Sequence, residues 1–119
     1  MFLNSDIDHR HFYLEGTLNR GESSDQLNQG YLRGAMQTGC RAIHNCVKSA
    51  GTSVQDVNLL AVRICTGYVC PDVGSRLIAH MGFGNNLQRA SIVGLGCAGV
   101  LPTMQRAVDF VRANPGRRA

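Results

Sequence analysis

Ala90-Ser91-Ile92-Val93-Gly94-Leu95-Gly96-Cys97-Ala98-Gly99 changes character twice within a few positions. Ala90 to Val93 reads as a short buried strand. Glycines then stand three and one positions before Cys97 and two after it, which permits a sharp turn and close approach of another backbone. From about Val100 to Ala113 the spacing is helical, with Val100, Met104, Ala107, Val108 and Val111 expected on the buried face. A cysteine between strand end and helix start meets unpaired N–H groups and the positive end of the helix dipole, which favour a thiolate. Two readings stay open here: an activated nucleophile, or a structural cysteine in a tight connection. A hydrolase elbow is excluded, because it needs glycine two positions before the nucleophile, where Leu95 stands.

Working back toward the N-terminus, Val57 to Cys65 (VNLLAVRIC) is apolar apart from Asn58 and Arg63, as suits a strand buried on both faces. Thr66 to Pro71 is then a loop. Pro71 fits the first turn of a helix over about Asp72 to Met81 that stops at Gly82. Further back, Ser23-Ser24-Asp25 caps a long helix running to about Ala50, with Gly51 as its terminator. Leu27, Tyr31, Ala35, Cys46 and Ala50 lie on one stripe of it, with Met36, Ile43 and Val47 alongside. Residues 1–22 are polar and irregular, except that His9 to Leu14 alternates like an edge strand with His9 and His11 on one side. The order α-β-α-β-α with short links predicts an α/β fold with a parallel sheet, in one domain over residues 1–119.

Composition closes off several function classes. The net charge is +4, and 11 of the 12 basic residues are arginines scattered from Arg10 to Arg118. Aromatics are 6% and Trp is absent, so stacking platforms for nucleic acid are scarce. No apolar run nears the roughly 20 residues of a membrane helix, and Met1 to Asp8 lacks the makings of a secretory signal. The expected location is the cytoplasm. Cys40, Cys46, Cys65, Cys70 and Cys97 are odd in number and lack paired C-x2-C spacing, so neither a disulfide framework nor a metal site is expected. Three of the five are expected to pack as small apolar side chains.

The neighbourhood of Cys97 breaks the tie between the two readings of the turn. Cys65-Thr66-Gly67-Tyr68-Val69-Cys70-Pro71, Leu77-Ile78, Met81-Gly82-Phe83 and Gly96-Cys97-Ala98-Gly99 with Arg106-Ala107 and Asp109 resemble the type III polyketide synthases, chalcone-synthase-like enzymes of the thiolase superfamily. Ile7 to Phe12 is similar to the basic-aromatic segment before the first long helix of those enzymes. The resemblance runs over essentially the whole chain. It implies part of a thiolase-like fold: one incomplete, N-terminal half of the αβαβα sandwich.

Carried over residue by residue, the resemblance makes Cys97 the nucleophile that takes a starter acyl group from a coenzyme A thioester. Cys65 and Thr66 match the loop lining the substrate cavity, and Cys70 the position that reaches across a homodimer interface into the partner's pocket. Acyl-CoA and malonyl-CoA are then substrates of a decarboxylative Claisen condensation, with no cofactor of the protein's own. The family's oxyanion-stabilising histidine and asparagine lie far downstream of the cysteine, whereas His9, His11, His44 and His80 all precede Cys97 and match neither. The expectation is therefore a piece lacking the C-terminal half, a truncated product or one subunit of a split enzyme, with little condensation activity alone. Val100 is a departure, since many members have glycine there. Two alternatives are a piece of a ketoacyl-carrier-protein synthase III-like enzyme and a non-catalytic chain that only pairs with a partner.

Overall fold

A computed structural model describes residues 8–9, 11–13 and 21–119. Helix α1, Ser24–Ser49, begins at a capping box: the Gln26 N–H donates to Ser23 Oγ, and the Ser23 N–H donates to Gln26 Oε1. Strand β1, Leu59–Ile64, is followed by helix α2, Val73–Met81, strand β2, Gln88–Val93, a 3₁₀ turn at Gly96–Gly99 and helix α3, Val100–Ala113. β1 and β2 pair in parallel, Leu59 opposite Gln88 through Ile64 opposite Val93. Since parallel neighbours need a crossover, α2 is the segment that carries the chain back. The α/β class and its parallel sheet are thus as the sequence indicated.

The core lies on one face of β1. Ile64, Val73 and Leu77 are buried together, and Leu60 and Val62 join them beneath Tyr31, Ala35, Met36, Cys40 and Ile43 of α1. Gly39 lets α1 approach α2 closely, a Cβ there lying 3.2 Å from a Leu77 methyl. On the opposite face α3 packs through Gly99, Thr103, Ala107 and Phe110, a run of helical spacing in which Phe110 is buried. Small residues early in that stripe allow the helix to sit against the strand, and Phe110 fills the space beyond.

Several expectations change. The face predicted for α3 is reversed: Val100, Met104, Val108 and Val111 are exposed, and only Ala107 of that set turns toward β1. The strand takes the smaller side chains, leaving the larger apolar ones outward. On α1, Leu27, Cys46 and Ala50 are exposed rather than buried. β2 is not a buried strand either, since no strand among the described residues pairs with its far side and only Ala90 and Ile92 are half-buried. Pro71 lies outside α2, because Asp72 is the cap residue that precedes its first turn. Among the described residues of the predicted edge strand, His9, His11, Phe12 and Tyr13 form no strand; Arg10, Leu14 and Ile7 lie outside the described residues. Tyr13 instead lays its ring over Gly34 of α1 and donates its hydroxyl to Gln37.

Among the described residues no strand pairs with the side of β1 away from β2. The Asn58 and Leu59 N–H groups donate there to the carbonyl of Arg118, so the C-terminal segment meets only the start of the strand. Beyond it an apolar cavity of about 250 Å³ is lined by Leu59, Leu60 and Ala61 with Ile43 and Val47 of α1 and Thr103, Met104 and Ala107 of α3.

Candidate active site

Both loops of interest leave the carboxyl ends of the two parallel strands, the end at which open α/β sheets bind their ligands. With Ile64 opposite Val93, Cys65 and Thr66 emerge beside the turn that carries Cys97. At this end of the sheet Tyr31 of α1 lies against the Cys65–Gly67 loop, and the Gly96–Gly99 turn lies against Arg63 of β1.

In the turn, Gly94 and Gly96 have φ of +80° and +50°, a left-handed backbone that glycine adopts without strain. They fold the chain back within a few residues and leave Cys97 exposed, directly before the first turn of α3. In the neighbouring loop, the Cys65 sulfur lies 3.8 Å from Thr66 Oγ1. The Thr66 hydroxyl, and after it the Arg63 side chain, hold the Cys65 thiol below its ordinary pKa. Gly67, with φ +68°, lies flat under the Tyr31 ring, where any Cβ would fall 2.3 Å from a ring carbon. Partial burial, together with the nearby Cys65, pushes the Tyr31 phenol above its usual pKa.

Of the residues singled out from sequence, Cys65, Thr66 and Cys97 therefore share one end of the sheet. Cys70 is exposed farther along the same loop, at a cis Cys70–Pro71 bond. The cysteines as a group are not core residues: four are exposed, and only Cys40 is half-buried against the core. Among the described residues no group of three or more His, Cys, Asp or Glu side chains gathers as a metal site. No helix among them is long and apolar enough to cross a membrane.

Two residues gain significance only in the fold. Tyr31 read as one member of a helix stripe, yet it roofs the Thr66–Gly67 loop. Arg63 read as an interruption of an apolar strand, and that was its signal. Its guanidinium Nη2 donates to the carbonyl oxygen of Gly96, and its stem lies against Gly99. Below the loops, Asp72 accepts from the Ser75 N–H at 2.9 Å, from the Ser75 hydroxyl and from Ser91 of β2, tying the start of α2 to the sheet.

Solved structures share this fold. No protein-family model matches the chain. The chain is 32% identical over 120 residues to 3,5-dihydroxyphenylacetyl-CoA synthase of Amycolatopsis orientalis, covering 98% of this chain and 32% of that enzyme. It is 27% identical to phloroglucinol synthase of Pseudomonas fluorescens, covering 94% and 32% respectively. Among solved structures, polyketide synthase PKS-I of the brown alga Ectocarpus siliculosus superposes with a TM-score of 0.73 at 29% identity, over 78% of this chain and 24% of that one. The 1,3,6,8-tetrahydroxynaphthalene synthase of Streptomyces coelicolor, a bacterial type III polyketide synthase, gives 0.69 at 28% identity, over 76% and 26%. The chain spans about a third of the length of the curated relatives it matches. The chain is homologous to a segment of the type III polyketide synthases.

Proposed function

We propose that the chain carries the nucleophile of a type III polyketide synthase-like acyl-transfer site, with Cys97 accepting an acyl group from a coenzyme A thioester. The observation that supports this is the placement of an exposed cysteine in a glycine turn at the carboxyl end of a parallel strand, beside the Cys65–Thr66 loop. In the reaction the Cys97 sulfur bonds to the thioester carbonyl carbon, the bond to the coenzyme A sulfur breaks, and the departing thiolate takes up the proton that Cys97 gave up. Cys65 and Thr66 line the space for the acyl chain. Extension with malonyl-CoA, a homodimer contact through Cys70 and a cytoplasmic setting complete the proposal for the assembled enzyme. Condensation needs oxyanion donors that none of this chain's histidines supplies, so the activity assigned to these 119 residues is acyl loading alone.

Exposure gives a useful control, because Cys46, Cys65, Cys70 and Cys97 are all exposed. A limiting amount of acetyl-CoA is added to the folded chain, and the acylated cysteine is mapped by mass spectrometry. Acylation concentrated on Cys97, absent in Cys97→Ser and lost on unfolding in urea, is the expected result. Even acylation of the exposed cysteines, unchanged by urea, would refute the proposal.

A further inference from the structure

The geometry points to Arg63 as a positioning residue for Cys97, an assignment that rests on the acyl-transfer reading above. Arg63 occupies the last but one position of β1, on the same face as Leu59 and Ala61, the face that α3 covers. Its chain is half-buried and runs beneath the nucleophile turn from one end to the other. A Cβ on Gly99 would come within 3.0 Å of both Cγ and Nε of Arg63, so the turn lies directly on the arginine stem. At the far end Nη2 donates to the carbonyl oxygen of Gly96. Cys97 is one of the two residues between these points of support.

That carbonyl belongs to the peptide unit whose N–H is Cys97's own. A charged donor on the oxygen polarises the whole unit and strengthens its N–H as a donor. Within the Gly96–Gly99 turn the first N–H groups have no earlier carbonyl of the same turn to bond, so the Cys97 N–H is not used up inside it. A guanidinium also keeps its charge at every working pH, and its fork is stiffer than a lysine ammonium. The glycines on either side of Cys97 make the turn possible but give it no rigidity of its own. Arg63 supplies that rigidity from below, and it leaves the thiol face open above.

The test compares the rate at which Cys97 takes an acetyl group from acetyl-CoA in the full chain and in Arg63→Ala, Arg63→Lys and Arg63→Ala with added guanidinium chloride at low millimolar concentration. Far-ultraviolet circular dichroism is followed in parallel. Loss of a charged hydrogen bond predicts a drop of about tenfold or more in Arg63→Ala. Added guanidinium should restore part of that rate, and Arg63→Lys should fall between the two, which a purely structural role would not produce. An unchanged rate in Arg63→Ala, or a loss that neither guanidinium nor lysine recovers in a folded chain, overturns the assignment. Should Arg63→Ala not fold, the Arg63→Lys rate decides: equality with the parent chain overturns it. Absence of acylation at Cys97 in the unaltered chain would instead overturn the acyl-transfer reading, and this one with it.

Discussion

Asp72 shows how much one carboxylate can organise. It caps α2, accepts from Ser75 and Ser91, and lies 3.4 Å from Arg89 of β2. Ser75 chiefly, then Ser91, lowers its pKa from the ordinary 3.8 to about 2. A carboxyl depressed by folding stabilises the native state above its unfolded pKa, and that stability is lost as the pH falls through the folded value. Asp72→Asn keeps a competent cap but removes the charge. The variant should melt below the parent at pH 7, with the gap closing between about pH 4 and pH 2; thermal melts at pH 7, 4 and 2.5 measure it. A gap that does not change with pH would mean that the charge contributes nothing. Asp72 was visible in the sequence only as the start of the second helix, because its partners Ser91 and Arg89 reach it through the parallel register.

At the scale of elements, α3 has two faces with unlike duties. Phe110 is 4% exposed, whereas Leu101 and Met104 are 74% and 62% exposed. Phe110→Ala should therefore cost about 3–4 kcal/mol. Leu101→Glu or Met104→Glu should shift stability by no more than about 0.5 kcal/mol. Urea unfolding of the three variants tests the contrast, and a large cost at Met104 would show that α3 sits the other way round. Helical spacing was legible from Val100 to Ala113, and so were both strands and the caps at Ser23 and Gly82. Which stripe of α3 meets the sheet was not. Both stripes have the right period, and the choice turns on small residues that fit against β1, a property of the pair and not of either segment. For the same reason the glycine turn around Cys97 was legible, while Arg63, which supports it, and Tyr31, which roofs the neighbouring Thr66–Gly67 loop, were not: each meets its loop from a distant part of the chain.

The molecule as a whole leaves two apolar surfaces without cover among the described residues. One is the outer face of α3 with Val100, Leu101 and Met104, and the other is the open side of β1 with its cavity. In a parallel ladder alternate residues bond to each side, so Leu59, whose N–H meets Arg118, belongs to the open side together with Ala61 and Arg63. Unpaired strand edges and apolar patches of this kind promote association. Light scattering across a dilution series should show an apparent mass that rises with concentration, and Leu101→Glu with Met104→Glu should lower it. A constant mass of one chain in both proteins would contradict this expectation.

The shared ladder between β1 and β2 has one more consequence, for the way the site opens. The Cys65 loop and the Cys97 turn are continuations of two strands that hold one another, and among the described residues β2 has a neighbour on one side only. Fraying of β2 releases Ser91 from Asp72 and draws Gly96 away from Arg63 in the same event. The two thiols are therefore members of a single cooperative unit. An acyl group bridging that end of the sheet would slow amide exchange along β2, even at residues it never touches.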